Sequence, residues 1–342
     1  MNFVVIGTSY RYSPIEIREK LFFSKRRLKE IMACAKETAR LNSCIILSTC
    51  NRVEIYANVS HEESGSMVLR EFLGAFHEIS VVGIEPYLYD YAGQMALAHL
   101  LKVVSGLDSQ ILGESQISEQ VKFAYSEAQH AGCVDLVLDF LFQQALRWGE
   151  IVRAAAGISA GSVSVGSIAV QLMKKTFGNL REKKILILGA GKVTELLVQS
   201  LKQEFPKTVF ISNRAFEKAA QFADQLGGEA VRFDRFHKKL QDADIVVSST
   251  SSTHRILHKE DFEKIDHSVC VIDLALPRNV DPEVGHISGI RLFNLDDFTS
   301  ELIEDFQSKA KVVKLAEEFL SEAARKIWQE FLMWAPEPAL WH

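Results

Sequence analysis

A cysteine and an arginine two residues apart, Cys50 and Arg52, are the residues whose types and spacing first suggest covalent chemistry. A nearby guanidinium favours the thiolate, which is the nucleophilic form of cysteine. The apolar run 44–47 predicts one buried strand and the alternation over 53–57 predicts another, so Cys50 falls in the break between them. There its side chain can project from a rigid scaffold into a cleft. The alternative, which the local pattern alone favours, is an inert strand-end cysteine beside a solvated arginine.

Composition limits the classes of protein that the chain can represent. Its 342 residues predict two or three domains, and 47% hydrophobic residues, 24% charged residues and a formal charge of -5 are typical of an ordinary globular protein. These values argue against disorder, a membrane span and a globally basic nucleic-acid binder. The first residues lead directly into a strand, without the pattern of a signal peptide, so we expect a cytoplasmic protein. The five scattered cysteines, with no CxxC pair, argue against a disulfide framework and a cysteine metal site; no metal is expected.

The elements that must position Cys50 are predicted as an α+β unit. Ser13 and Glu16 suggest a capping box at the start of one helix. Further helices are expected over 24–40 and 66–76. The region 94–148 has a helical period throughout, except at 105–114, where two glycines and small polar residues interrupt it. That polar interruption has no obvious packing duty, so it is a candidate functional loop.

A dinucleotide-binding turn is predicted in the second half of the chain. After a linker at 157–162 and a helix at 163–177, the strand 184–188 turns through Gly189 and Gly191 into a helix. Glycine suits a tight turn and a backbone that approaches a pyrophosphate, and the helix N-terminus favours negative charge. Thr194 stands where the fingerprint has a third glycine. Further strands at 209–212, 243–248 and 269–273, separated by helical segments, predict a doubly wound parallel sheet.

The end of the second strand of that sheet bears on the choice of cofactor. A carboxylate there would bind the ribose hydroxyls of NAD, whereas an arginine suits the 2′-phosphate of NADP. The sequence has Ser212-Asn213-Arg214, which favours NADP; the alternative is that Arg214 is a solvated charge. The segment 248–250 also ends a strand at the ligand-binding edge, near the expected nicotinamide ribose.

The stretch 298–334 contains neither glycine nor proline and has apolar residues near helical spacing. One unbroken helix of this length would be roughly 55 Å long. We expect it to run beside both domains or to pair with a second chain.

Six stretches occur in order along the chain. They are Ser48-Thr49-Cys50-Asn51-Arg52-Val53-Glu54-Ile55-Tyr56, His99-Leu100, Gly106-Leu107-Asp108-Ser109, Gly113-Glu114-Ser115-Gln116-Ile117 with Gln120-Val121-Lys122, Gly189-Ala190-Gly191, and Asp273-Leu274-Ala275-Leu276-Pro277-Arg278. Because these six stretches occur together and in this order, the chain resembles the glutamyl-tRNA reductase family over essentially its whole length. The resemblance implies NADPH-dependent reduction of glutamyl-tRNA(Glu) to glutamate-1-semialdehyde through a cysteine thioester, with release of the tRNA. This is the first step towards 5-aminolevulinate and tetrapyrroles such as haem.

The resemblance also implies roles for individual residues. Cys50 would be the nucleophile, and His99 would assist activity. Without the resemblance, His99 would be an ordinary helix histidine. The substrate-binding residues would be Thr49, Cys50, Asn51, Arg52, Ser109, Glu114, Ser115, Gln116 and Gln120. The cofactor-binding residues would be Gly189, Ala190, Gly191, Lys192, Val193 and Thr194, to which the strand-end argument adds Ser212, Asn213 and Arg214. Arg52 has two possible roles, as an activator of the thiol or as a bidentate clamp on the substrate carboxylate.

The domains expected are a catalytic, glutamyl-tRNA-binding α+β domain at 1–155, a Rossmann-like NADPH-binding domain at 156–293, and a long helix in a shortened dimerisation region at 294–342. Partners implied are glutamyl-tRNA(Glu), a second copy of the chain, and the next pathway enzyme, glutamate-1-semialdehyde aminomutase. No membrane partner is expected. Two departures from the family are Lys192, where a glutamate is common, and a chain that stops soon after Trp334.

Two other functions compete with the reductase. A shikimate-type dehydrogenase would use the same nucleotide domain but would have no need of Cys50. A non-catalytic tRNA-binding homologue would keep the fold and not the chemistry. The presence of Cys50, Arg52 and His99 argues against it.

Overall fold

The computed structural model describes residues 2–114, 116–158, 164–298 and 309–334, which fall into two units. The first unit comprises residues 1–162 and 302–342, and the second comprises residues 163–301. The sequence-based boundaries of the functional domains, after residues 155 and 293, stay predictions.

A four-stranded antiparallel sheet with strand order β2-β3-β1-β4 forms the centre of the first unit. Its strands are β1 (Asn2–Ser9), β2 (Ser43–Ser48), β3 (Arg52–Val59) and β4 (Tyr89–Ala92). Strands β2 and β3 pair as a hairpin whose last partners are Ser48 and Val53. Cys50 therefore lies in the turn between two buried strands, as predicted.

Seven helices of this unit precede the second unit in the described chain. They are α1 (Ile15–Lys20), α2 (Leu28–Thr38), α3 (Glu62–Phe76), α4 (Val81–Ile84), α5 (Gly93–Ser105), α6 (Gln116–His130) and α7 (Leu136–Ala156). The capping box expected at Ser13 is wrong, because Pro14 is the N-cap of α1 and the Ser13 hydroxyl donates to the Ser9 carbonyl.

The helical region 94–148 has a second break that its period does not reveal. Gly132 takes a positive φ of 64° after the end of α6, and the Asp135 carboxylate then accepts a hydrogen bond from the Leu138 N–H at the start of α7. A glycine and an acidic N-cap are ordinary end and start signals for helices, but the apolar spacing continues across them.

The second unit contains a parallel six-stranded sheet with strand order β10-β9-β8-β5-β6-β7. Its strands are β5 (Lys184–Leu188), β6 (Thr208–Asn213), β7 (Glu229–Arg232), β8 (Ile245–Ser248), β9 (Val269–Asp273) and β10 (Ile290–Phe293), and its helices are α8 (Val165–Phe177), α9 (Lys192–Leu201), α10 (Phe216–Leu226) and α11 (Phe236–Leu240). Counted from β7, the chain order is 3-2-1-4-5-6, so the predicted doubly wound, Rossmann-like arrangement is confirmed.

The terminal helix α12 (Ala310–Trp334) belongs to the first unit, where it packs against α5 and α7. Its buried face includes Leu320, Ile327 and Phe331, and the Trp334 ring stacks on Phe140 at 5.2 Å. Residues 299–308 of the predicted helix lie outside the described residues. Within the described part of the chain, helices long and apolar enough to cross a membrane are absent.

Candidate active site and nucleotide-binding turn

Hydrogen bonds fix the turn that carries Cys50. The Thr49 hydroxyl accepts from the backbone N–H groups of Asn51, at 3.2 Å, and Arg52, at 3.1 Å. The Thr49 N–H donates to the Arg52 carbonyl at 2.8 Å, and the Tyr10 N–H donates to the Asn51 carbonyl at 2.9 Å. Threonine suits this position because its short side chain can satisfy backbone donors two and three residues ahead. The Cys50 backbone is therefore held from both sides.

Arg18, on α1, is the cation that contacts the Cys50 turn. Its side chain is fully buried, its Nε donates to the Cys50 carbonyl at 3.3 Å, and its Nη1 donates to the Ser13 carbonyl at 2.5 Å. Sequence reasoning missed Arg18. A basic residue on the otherwise buried side of a short amphipathic helix is the signal that would have found it.

The thiol of Cys50 is a weak acid in this setting. Burial raises its pKa to about 11, and the negative charge of Glu114 contributes to the rise. The positive charges of Arg18 and Lys25 act in the opposite direction. Cys50 is therefore mainly a protonated thiol at neutral pH in the free protein, and a lower pKa would favour a nucleophilic role.

Arg52 is engaged by two carboxylates. Its side chain is 1% exposed, its Nη1 donates to Glu54 Oε1 at 2.7 Å, and its Nη2 donates to Asp108 Oδ2 at 3.0 Å and to the Asp108 carbonyl. Asp108 also pairs with Arg11 at 3.1 Å. Arg52 therefore ties the loop that follows α5 to the first residue of β3.

A buried carboxylate, Glu54, lies at the centre of this network. It accepts hydrogen bonds from the hydroxyls of Tyr56, at 2.6 Å, and Tyr89, and it lies 2.7 Å from His99 Nε2. Burial by itself would raise the pKa of Glu54, but the charges of Arg52 and His99 outweigh it and hold that pKa well below its usual range. Glu54 is therefore an ionised buried group.

The sequence contains a pattern that indicates this network, but the pattern can be interpreted only when the position of β3 in the sheet is known. Arg52, Glu54 and Tyr56 alternate along β3, so they lie on one face of the sheet. Two opposite charges and a tyrosine on one face of a fully buried strand indicate an internal polar cluster. Tyr89 comes from β4, a strand that the sequence analysis did not predict.

His99 lies on α5 within this cluster. Its side chain is 10% exposed, and its ring lies 5.2 Å from that of Tyr89 and 5.0 Å from that of Tyr91. The bond to Glu54 and the two aromatic neighbours fix the orientation of the imidazole. The structure thus connects His99 to Arg52 through Glu54.

The polar loop 105–114 lies against the Cys50 turn. Gly106 and Gly113 have positive φ values, and a Cβ at Gly113 would lie 2.4 Å from Ile158 Cγ2. The carbonyl of buried Ser109 accepts from the Tyr10 hydroxyl at 3.2 Å. Burial raises the pKa of Glu114 to about 7, although the charge of Arg52 opposes the rise. The loop thus carries a carboxyl group whose pKa is near neutrality and whose negative charge raises the pKa of Cys50.

The remaining predicted substrate residues lie at and after the end of this loop. Gln116 begins α6, and Gln120, one turn later, lines a cleft together with Ser48 from the end of β2. Ser115 lies outside the described residues. Thr49 to Arg52, Ser109, Glu114, Gln120 and His99 thus all belong to one region of the first unit.

The glycine turn of the second unit passes close to Ser249, after the end of β8, and leads into α9. Gly189 has a φ of 121°, and a Cβ there would lie 2.7 Å from the Ser249 carbonyl oxygen. Gly191 is the N-cap of α9, and a Cβ there would meet open space. Thr194 is buried, and its hydroxyl lies 2.8 Å from the Ser249 hydroxyl. The missing third glycine is thus replaced by a side-chain hydrogen bond, and the helix N-terminus remains open to an anion.

The strand ends beside this turn carry the other predicted cofactor residues. The Ser212 carbonyl accepts from the Gly189 N–H at 2.8 Å. Arg214 is exposed, and its guanidinium lies over the Phe233 ring at 5.7 Å. Asn213 pairs in register with Arg232 of β7, so a second arginine stands at the same edge.

A buried asparagine, which sequence reasoning missed, organises the segment 248–250. Asn279 Oδ1 accepts from the Ser248 hydroxyl at 3.0 Å, from the Thr250 N–H at 3.1 Å and from the Thr250 hydroxyl at 2.7 Å. The Asp273 carboxylate in turn accepts from the backbone N–H groups of Asn279 and Val280. These bonds fix the carboxyl ends of β8 and β9, the edge at which ligands bind in such sheets.

Comparisons with known proteins agree with the division of the chain into two units. Residues 6–156 match the family described as glutamyl-tRNAGlu reductase, N-terminal domain, and residues 171–301 match the family described as shikimate / quinate 5-dehydrogenase. The chain is 37% identical over 324 residues to the glutamyl-tRNA reductase of Carboxydothermus hydrogenoformans, covering 94% of this chain and 72% of that protein. It is 36% identical to the glutamyl-tRNA reductase of Bacillus subtilis, covering 94% and 73%.

A solved structure is similar over nearly the whole chain. It is the glutamyl-tRNA reductase from Methanopyrus kandleri, with a TM-score of 0.51 and 31% identity, covering 96% of this chain and 80% of that one.

Proposed function

Because the chain belongs to the glutamyl-tRNA reductase family, we propose that it reduces glutamyl-tRNA(Glu) to glutamate-1-semialdehyde with NADPH, through a thioester on Cys50. The product is a precursor of 5-aminolevulinate and tetrapyrroles. The observation that carries the proposal is the position of Cys50 in a turn fixed by hydrogen bonds, beside the carboxyl group of Glu114.

The first half-reaction is an acyl transfer. The Cys50 sulfur forms a bond to the ester carbonyl carbon, the bond from that carbon to the terminal ribose oxygen breaks, and the ribose oxygen takes a proton. A free carboxylate would be too electron-rich for hydride addition, whereas a thioester divides the reduction into two easier steps. Gly189 to Thr194 would hold the dinucleotide, which would supply the hydride for reduction of the acyl group that Cys50 carries.

Substrate binding itself activates the thiol in this proposal. Burial and the charge of Glu114 raise the pKa of Cys50. When the α-ammonium group of the glutamyl ester pairs with Glu114, that negative charge is neutralised, and the charges of Arg18 and Lys25 then act unopposed by it. The pKa of Cys50 falls as a result, so substrate binding increases the reactivity of the nucleophile.

Arg52 is proposed to recognise the side-chain carboxylate of the substrate by exchange of partners. Its Nη2 group is held by Asp108, which is 20% exposed and has Arg11 as a second partner. An incoming carboxylate would replace Asp108 on Arg52, while Glu54 keeps the guanidinium in place. His99, whose Nε2 is held by Glu54, is proposed as a positioning residue of the same cluster.

The dinucleotide is proposed to be NADPH. Gly189 to Thr194 supply an open helix N-terminus for the pyrophosphate. At the end of β6, Ser212 and Asn213 lead to the exposed Arg214, which suits a 2′-phosphate. Lys192, next to the second glycine, pairs with Glu195 of the same helix at 3.2 Å.

Partners and location are also proposals. Aminoacyl-tRNA is a cytoplasmic substrate, so we place the enzyme in the cytoplasm. The end of α12 exposes Leu332, Met333 and Trp334, which supports a homodimer through this helix. Because the aldehyde product is reactive, transfer to glutamate-1-semialdehyde aminomutase is the natural next step.

The proposed function is tested by measuring the turnover of glutamyl-tRNA(Glu). Protein incubated with glutamyl-tRNA(Glu) and NADPH should release semialdehyde and free tRNA, and it should not oxidise shikimate with NADP+. Shikimate oxidation without semialdehyde formation would support the dehydrogenase alternative and reject the proposal.

A further inference from the structure

A cleft of about 190 Å³ opens beside the Cys50 turn in the first unit. Its walls come from the turn before α2, the end of β2 and one face of α6, and they include Lys25, Ser48, Glu119, Gln120 and Phe123. Of the substrate residues expected from the sequence, Gln120 alone is among those that line it. The other lining residues have no role in the mechanism above, apart from the charge of Lys25.

We propose that this cleft binds the 3′-terminal adenosine of the tRNA, with the adenine stacked on Phe123. The inference rests on the proposed function, because it names the part of that substrate which the cleft receives. It assigns a binding role to Phe123, Glu119 and Lys25.

The location follows from the connectivity of the substrate. The glutamyl group is esterified to the terminal ribose, so the nucleoside must lie next to the carbonyl that Cys50 attacks. Ser48 precedes Cys50 by two residues, which span at most about 7 Å of extended chain. Its hydroxyl accepts from the Phe23 N–H at 3.0 Å, which fixes this wall of the cleft. Lys25 lines the same cleft as Ser48, and its positive charge lowers the pKa of the Cys50 thiol.

The lining chemistry suits a purine nucleoside. Phe123 is 43% exposed although it is a large apolar residue, and its aromatic side chain lines the cleft. A base stacked on such a ring gains affinity by about 5- to 150-fold. Glu119 and Gln120 offer an acceptor and a donor–acceptor pair to the edge of the base. A nucleoside therefore finds both a stacking surface and polar partners.

Positive charge at the cleft and in the chain next to it suits the phosphates that precede the terminal nucleoside. The turn Lys25–Arg27 carries three consecutive cations, all exposed. Arg27 pairs with Glu30 at 3.3 Å on the surface. The formal charge of the whole chain is -5, so this basic turn is a local exception. Such a local patch is what an RNA-binding site requires in an acidic protein.

The first test measures binding of the trinucleotide rCCA to the full chain by calorimetry, which does not depend on reductase activity. We expect Phe123→Ala to weaken rCCA binding about 10-fold, Phe123→Tyr to restore it, and Leu136→Ala, at another exposed apolar side chain of this unit, to leave it unchanged. Unchanged rCCA binding by Phe123→Ala, or no rCCA binding by the wild-type protein at millimolar concentration, would overturn the inference.

The second test compares thioester formation from glutamyl-adenosine and from glutamyl ethyl ester, which lacks a nucleoside. Phe123→Ala should lower kcat/KM about 10-fold for the first substrate and leave it unchanged for the second. An equal loss for both would show a structural defect and reject the role of Phe123. If the wild-type protein bound rCCA through Phe123 but formed no semialdehyde from glutamyl-tRNA, the proposed function would fail and the adenosine site would stand.

Discussion

Replacing Glu114 by glutamine should increase the reactivity of the Cys50 thiol in the free enzyme and decrease the turnover of glutamyl-tRNA. The carboxylate contributes to the raised pKa of the thiol, so its removal lowers that pKa. The same change removes the proposed partner of the substrate ammonium group, so kcat/KM for glutamyl-tRNA should fall. If Glu114 only maintained the fold, its replacement would not raise the reactivity of the Cys50 thiol while lowering kcat/KM for glutamyl-tRNA.

The gain in Cys50 reactivity caused by Glu114→Gln should depend on pH, because the pKa of Glu114 determines when its carboxyl group is charged. With a pKa of about 7, Glu114 is ionised to about 10% at pH 6 and about 90% at pH 8. A nearby like charge changes a pKa by about one unit, and each unit changes the thiolate fraction tenfold when the pH is far below the pKa. Because nucleophilicity falls with pKa, the net gain in the rate of thiol–disulfide exchange is about threefold. It should appear at pH 8 and nearly vanish at pH 6.

The assay is the reaction of Cys50 with a neutral aromatic disulfide between pH 6 and pH 8. Cys34 is exposed, so both proteins should carry Cys34→Ser, and the modified peptide should be identified by mass spectrometry. Glu127→Gln, on the other end of α6, is the matched control and should leave the rate unchanged. A ratio of variant to wild-type rates that is the same at pH 6 and pH 8, or that lies below one at pH 8, would refute the reasoning.

Three further predictions follow from the same contacts. Arg18→Met should slow the disulfide exchange of Cys50 about threefold at pH 8, whereas Arg18→Lys should retain most of the rate; equal slowing in both would exclude a role for the charge. Arg214→Ala should weaken NADPH binding about tenfold and leave NADH binding nearly unchanged, and equal loss for both would remove Arg214 from the 2′-phosphate site. Glu54→Gln should lower the free energy of unfolding by about 3 kcal/mol at pH 7, because it leaves the buried Arg52 guanidinium with the partly exposed Asp108 as its carboxylate partner. Since the pKa of Glu54 is held low in the folded protein, this difference should shrink as the pH of denaturation falls below about 4; a difference that persists unchanged at pH 3 would contradict the ion pair.

Much of the fold is visible in the sequence because it is encoded locally. The break between β2 and β3, the turn through Gly189 and Gly191, and the alternation of strands and helices after residue 184 all depend on residues close together in the chain. The edge strands β4 and β7 are four residues long and partly exposed, so they lack the apolar runs by which the inner strands are recognised.

The candidate site was only partly predictable for a different reason. Cys50 and Glu114 could be singled out by type and resemblance, but the contacts that define their chemistry join distant parts of the chain. Arg18 reaches Cys50 across 32 residues, and Tyr89 reaches Glu54 across 35. Such contacts are set by strand order and helix placement, which the local pattern does not encode. The charge next to Cys50 was therefore expected from Arg52, whereas Arg18 is the guanidinium that contacts the Cys50 turn.

In the proposed reaction, Cys50 carries the glutamyl group as a thioester. The most direct measurement incubates the protein with tRNA charged with labelled glutamate, without NADPH, and locates the label after digestion. We expect label on Cys50 of the wild-type protein, its release as semialdehyde when NADPH is added, and no label on Cys50→Ser. Semialdehyde formed by Cys50→Ser at the normal rate would contradict this expectation.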